Sequence, residues 1–145
     1  MNKELMPKLI PGGRSVDDRG NLSFNNDLDL SNFKRYYLIE NHSNNFVRAW
    51  HGHLEESKVF ICIEGSFLVG AVRFNQQDRE SPHRFVLDSK IHSALFIPKG
   101  FANGSMNLSD GAKLLVFSDS TLEASKSDDF RFDWDYWNIW NIERR

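Results

Sequence analysis

Seven short runs rich in Val, Ile, Leu, Phe and Tyr recur along the sequence, each closed by Gly, Asn, Asp, Ser or Pro. They are KRYYLIEN (34–41), FVRAWHGH (46–53), KVFICIEG (58–65), SFLVGAVRF (66–74), HRFVLDS (83–89), SALFIPKG (93–100) and AKLLVFSDS (112–120). β-Branched and aromatic side chains fit a pleated, half-buried surface, and the residues between the runs favour turns. Runs this short, at roughly ten-residue spacing, predict an all-β sandwich or barrel. KVFICIEG is apolar on both faces, as a strand between two layers should be. Only TLEASKSDDF (121–130) has helical composition, and it reaches about two turns.

A chain of 145 residues suits one domain, residues 1–145, with a single core. Hydrophobic residues make up 40% and aromatic ones 13%, which excludes a disordered chain. The net charge of -2, with no basic block, gives no footprint for nucleic acid. Cys62 lies inside an apolar run and reads as a small buried hydrophobe; a lone thiol points to a reducing compartment. MNKELMPKLIPGG lacks the apolar stretch of a leader, and no window approaches the ~18 apolar residues of a membrane span. These features predict a soluble cytoplasmic protein with no membrane partner. The C-terminal FRFDWDYWNIWNIERR is distinct, with Trp134, Trp137 and Trp140 three apart and Phe132 and Tyr136 between them. It reads either as a segment clamped over the sheets or as the lining of a ligand mouth or dimer seam.

The chemistry gathers in VRAWHGHLEESKVFICIEGS (47–66). His51 and His53 are two apart and so share one face of a strand, an arrangement that suits zinc or iron. The spacing resembles the first motif of the cupin superfamily. Where that motif has its glutamate ligand this chain has Lys58, and Gly65 then follows in register. PKGFANGSMN resembles the second cupin motif through Pro98, Gly100 and Asn107, with Asn103 in place of histidine. An ammonium offers no lone pair and repels a cation. No metal and no other cofactor is therefore expected. A lysine facing two histidines suits proton transfer instead. A neutral imidazole removes a proton beside a ketone while the ammonium stabilises the enolate oxygen. Lys58 would also keep nearby imidazoles neutral by like-charge repulsion.

The sequence is similar to the metal-free cupins, the dTDP-4-keto-6-deoxyglucose 3,5-epimerases and their relatives. The likeness runs from residue 17 to 140 through DDRG (Arg19, Gly20), IENHS (Asn41, His42, Ser43), RAWH (Arg48, His51), IPKGFANG and RFDWDYWNIW. It implies a cupin-type double-stranded β-helix, or jelly roll. It makes His51 the base and puts Lys58 beside the sugar ketone. Arg19, Asn41 and Arg48 would contact the nucleotide and diphosphate of a dTDP-linked keto-sugar, with Asn103 among the substrate-binding positions. It also implies a tail carboxylate that orients the base, for which Asp133 and Asp135 both stand in range, and a homodimer that shares N-terminal strands. Two departures matter: Val116 falls where the family has its tyrosine acid, and Asn103 where it has a histidine. HGHLEESKVFICIEGS also resembles the sister 3,4-ketoisomerases, which would make His53 a second catalytic group. The resemblance thus implies a nucleotide-sugar epimerase acting at C3, with C5 as a further position. The alternatives are a 3,4-ketoisomerase and a non-catalytic sugar-nucleotide-binding cupin. One tension is geometric. Arg48 and His51 have opposite strand parity, so a bulge or the strand entry must turn one of them to bring both to a single site.

Overall fold

Alternation along the strands divides the core into three apolar layers. The computed structural model describes residues 5–75 and 81–145. Five strands form one antiparallel sheet: β1 (Lys8–Ile10), β4 (Arg35–Ile39), β6 (Lys58–Glu64), β9 (Ala94–Ile97) and β11 (Lys113–Ser118), in the order β1-β9-β6-β11-β4. Five more form a second: β5 (Val47–Gly52), β7 (Ser66–Arg73), β8 (His83–Asp88), β10 (Phe101–Asn107) and β12 (Phe130–Arg131), in the order β12-β5-β10-β7-β8. A hairpin of β2 (Gly13–Asp17) and β3 (Gly20–Phe24) stands apart as a two-stranded sheet. The expected helix is α1 (Leu122–Lys126), capped by the Thr121 hydroxyl, which accepts from the Ala124 amide.

The two large sheets face each other across a core to which both contribute. Phe60, Cys62, Leu114 and Val116 come from the first, and Phe67, Val69, Leu87 and Phe101 from the second. β6 is the strand with two apolar faces. Phe60 and Cys62 point into this core, while Val59 and Ile61 point outward and are covered by Ile10, Leu28 and Phe33. Burying such side chains contributes about 1.5–3 kcal/mol each, which is why both faces of β6 read as hydrophobic. The architecture is the cupin-type jelly roll.

The outer face of the second sheet is covered by the C-terminal aromatic segment. Trp50 is fully buried there, with its ring centroid 5.4 Å from Trp137 and 5.3 Å from Trp140. The indole N–H groups of Trp50 and Trp140 both donate to the Trp134 carbonyl, at 3.1 and 2.9 Å, so neither ring buries an unpaired donor. Glycines make room for the rings. A Cβ at Gly70 would fall 2.7 Å from Trp50, and one at Gly104 would fall 3.0 Å from Trp140. Trp134 and Tyr136 remain about half exposed. The clamp reading of this segment therefore holds for Trp137 and Trp140.

Candidate active site

Where the apolar core ends, the space between the sheets opens into a cavity of about 570 Å³. Its walls carry Tyr37, Arg48, His51, His53, Lys58 and Asn103, together with residues of α1 and β12. Strand register explains how side chains distant in sequence meet there.

On β5, His51 pairs with Asn103 of β10 on one side and with Arg131 of β12 on the other. The next pair along is Arg48 with Ser105. β10 advances two residues between these pairs while β5 advances three, so β5 carries the extra residue of a β-bulge. The bulge turns Ala49 and Trp50 to the outer face, where they pack in the aromatic layer, and returns Arg48 to the cavity beside His51. That resolves the parity conflict. Arg48 is held by its Nε–H, which donates to the Asn41 side-chain oxygen at 2.7 Å. Asn41 in turn donates to Asn107 at 3.0 Å, so it braces Arg48 from behind the cavity wall.

His51 is half-buried, and no hydrogen bond ties its ring to another described residue. Burial above all, then the Lys58 and Arg131 charges, hold its imidazolium below the ordinary pKa; Asp129 partly offsets them. A neutral imidazole with free nitrogens is what a base at neutral pH requires.

His53 has a different environment. Its Nδ1 lies 2.6 Å from the Asp128 carbonyl oxygen, which fixes the proton on Nδ1. Its Nε2 faces Oε2 of the buried Glu56 at 3.7 Å, and neither atom has a hydrogen-bond partner among the described residues. Glu56 also meets Lys58 Nζ at 3.4 Å and Arg35 at 3.2 Å. Burial pushes the Glu56 carboxyl up, but Lys58 and the Ser125 hydroxyl pull it net below the usual carboxylate range. A carboxylate set between two cations behind the wall fixes where the ammonium of Lys58 stands. Its tip reaches the Tyr37 hydroxyl at 3.0 Å.

Not every residue singled out in the sequence reaches this cavity. Arg19 sits at the tip of the β2–β3 hairpin, exposed and paired with Asp17, and does not line this cavity. Neither Asp133 nor Asp135 lines it; the tail carboxylate that does is Asp129, next to β12, which pairs with β5 through Phe130 and Arg131. Val116 is fully buried in the core. Sequence reasoning missed Glu56, two residues before Lys58, and Asp128. The Asp128 carboxylate accepts from the backbone amides of Leu54, Glu55 and Glu56, at 2.7, 2.9 and 3.1 Å. An acidic residue flanked by helix and strand gives no signal for such a loop-capping role. Among the described residues, no three His, Cys, Asp or Glu side chains are grouped as a metal ion would need. No helix among them is long and apolar enough to cross a membrane.

Two facing antiparallel sheets with an imidazole, an ammonium and a guanidinium at one open end define a cupin-type barrel with a polar cavity at its mouth. The chain belongs to the FdtA family, WxcM-like, C-terminal, whose sequence profile matches residues 6–138. A search of curated protein sequences gave no match. Solved structures do resemble it. A 3,4-ketoisomerase from Helicobacter canadensis is 25% identical over 96% of this chain and 100% of that one, with a TM-score of 0.71. A variant of the 3,4-ketoisomerase QdtA from Thermoanaerobacterium thermosaccharolyticum, in complex with TDP-4-keto-6-deoxyglucose, is 19% identical over 93% of each chain, with a TM-score of 0.69. The dTDP-4-dehydrorhamnose 3,5-epimerase of Bacillus anthracis, with TDP and pyrophosphate bound, is 20% identical. That likeness covers 89% of this chain and 79% of the epimerase, with a TM-score of 0.74.

Proposed function

We propose that this chain is an isomerase of a dTDP-linked 4-keto-6-deoxyhexose, acting by removal of the proton next to the ketone. His51 is the base, and Lys58 stabilises the oxygen that gains charge. Arg48, braced by Asn41, and the Asn103 amide bind the substrate. The observation that carries this reading is the pairing in one cavity of a neutral, untethered imidazole with an ammonium fixed in place by a buried carboxylate. An ion held in advance at the site of developing charge needs no reorganisation as the reaction proceeds.

The enolate has two useful fates. A proton returned to C3 on the opposite face gives the epimer, with C5 as a further position for the same chemistry. A proton delivered to C4 gives the 3-keto isomer. The second fate is supported by the full-length correspondence with the Helicobacter canadensis ketoisomerase, and by Val116, whose buried aliphatic side chain supplies no acid. NMR of the reaction in heavy water separates the two, since only ketoisomerisation places deuterium at C4.

We also propose that residues 1–145 act as one domain, in a cytoplasmic homodimer in which the β2–β3 hairpin reaches the partner's nucleotide site. A two-stranded hairpin is marginal alone, and this one leaves Val16 73% and Leu22 66% exposed beside Arg19. A partner surface would cover these apolar side chains and supply Arg19 with an anion.

A further inference from the structure

Lys58 and Arg35 both lean on one buried carboxylate, Glu56, but Arg48 is held in another way. Its Nε–H donates to the Asn41 side-chain oxygen at 2.7 Å. Its guanidinium lies over the Phe46 ring, 5.9 Å from the centroid. An amide and an aromatic face orient a guanidinium without neutralising it. No carboxylate among the described residues forms an ion pair with Arg48. A cation held at a cavity wall by neutral groups keeps its charge for an incoming anion.

Both holding groups hang from a single side chain. Asn107 is the last residue of β10 and is 2% exposed. Its Oδ1 accepts from the Asn41 side-chain amide at 3.0 Å and from the Phe46 backbone N–H at 2.9 Å. Its Nδ2 donates to the Ser43 carbonyl at 2.9 Å. A backbone N–H only donates and a carbonyl only accepts, so the amide has one possible orientation. The Asn107 carbonyl takes a further bond from the Asn45 N–H at 3.2 Å, where the chain passes through the left-handed region with φ 55°. Asn41 also donates to the Phe46 carbonyl at 3.4 Å. One buried amide thus closes residues 41–46 into a loop whose exit into β5 lies two residues before Arg48. Along β10, Asn103 pairs with His51 and Ser105 with Arg48, and Asn107 continues the same face to this loop.

We propose that Asn107 is a positioning residue for substrate binding, one that sets the Arg48 guanidinium through Asn41 and Phe46 together. The assignment rests on the reading above in which Arg48 binds the substrate, with the diphosphate as its anion. Asn107 itself does not line the cavity. Its bonds to the loop are already in place before substrate arrives, so they cost nothing at the moment of binding. An anion contact far from the reacting carbon is made equally in the ground state and the transition state. Its loss therefore falls on KM and leaves kcat in place.

The test is a double-mutant cycle in the full chain, with dTDP as the binding probe and a dTDP-4-keto-6-deoxyhexose as substrate. Asn107→Ala is expected to weaken dTDP binding about tenfold by calorimetry, with KM raised to match and kcat within about threefold of wild type. In an Arg48→Gln background the same change should cost less than about twofold, because the group it positions is gone. Asn41→Ala and Phe46→Ala should each reproduce part of the Asn107→Ala loss, and they carry the test if Asn107→Ala does not fold. Phe46 is 50% exposed, so its removal spares the core.

A weakened Arg48→Gln beside an Asn107→Ala protein that binds dTDP like wild type overturns the Asn107 assignment alone. So does an equal loss in the wild-type and Arg48→Gln backgrounds, which would make Asn107 a support of the fold only. Unchanged dTDP affinity in both Asn41→Ala and Phe46→Ala overturns the route through those two residues, and with it the assignment. An Arg48→Gln protein that binds dTDP as tightly as wild type overturns the Arg48 reading, and this assignment falls with it.

Discussion

His53 and Asp128 meet across 2.6 Å between an imidazole Nδ1 and a backbone carbonyl oxygen, 75 residues apart in sequence. The contact ties the end of β5 to the turn after α1 and aims the other face of the ring at Glu56. From this tether on Nδ1 we propose that His53 positions the loop before Lys58 rather than carrying a proton. His53→Gln is expected to weaken catalysis yet keep measurable hydrogen exchange at C3. Exchange as fully lost as in His51→Asn, with the fold intact, would restore His53 to the proton path.

Asp128→Ala removes the acceptor of three backbone amides at once. Hydrogen bonds to a charged group contribute about 1.5–3 kcal/mol each when isolated, but the Glu55 amide is exposed and water replaces part of the loss there. We expect a destabilisation of about 2–3 kcal/mol in urea unfolding. A loss below about 0.5 kcal/mol would show that the 53–56 turn does not depend on this carboxylate.

His51 has a pKa held below the ordinary 6.5, so it is neutral and basic at pH 7 and the acid limb of kcat/KM should fall below that value. The neighbours give the direction of change. Arg131→Gln removes a cation that disfavours the imidazolium, so the limb should move to higher pH. Asp129→Asn removes the carboxylate that favours it, so the limb should move to lower pH. Shifts of the same sign in the two variants would contradict this description of the site.

Trp140 closes the aromatic layer over the second sheet. Trp140→Ala should cost about 3–5 kcal/mol, read as a lower midpoint in denaturant. Because the layer lies on the face away from the cavity, dTDP affinity at a temperature where the variant is folded should change little.

Removal of residues 1–16 takes away β1 and one strand of the β2–β3 hairpin. It should weaken dimerisation and nucleotide binding together if Arg19 acts in the partner's site. Light scattering that shows a stable wild-type monomer at micromolar concentration would contradict the dimer.

Much of this was legible because it rests on periodicity. β6 and β11 announced themselves by their apolar residues, and the His51–Lys58 constellation by its spacing. β10 is the instructive case. FANGSMN carries Gly, Asn and Ser and reads as a loop, yet it is buried along its whole length as a central strand between β5 and β7. Its small residues are there because Trp140 and Ala49 pack against Gly104, a demand set by residues far away in sequence. The bulge in β5 was legible only as a conflict of parity. The partners of His53 were not legible, since Asp128 acts through its own carbonyl and through amides, which leave no pattern in side-chain type.

The most direct test of the central claim is the fate of the C3 hydrogen of a dTDP-4-keto-6-deoxyhexose, followed by NMR in heavy water with wild type and His51→Asn side by side. The account predicts deuterium exchange of that hydrogen by wild type and its loss in His51→Asn, with both proteins folded and binding dTDP alike. Undiminished exchange in His51→Asn, or none in wild type, would contradict it.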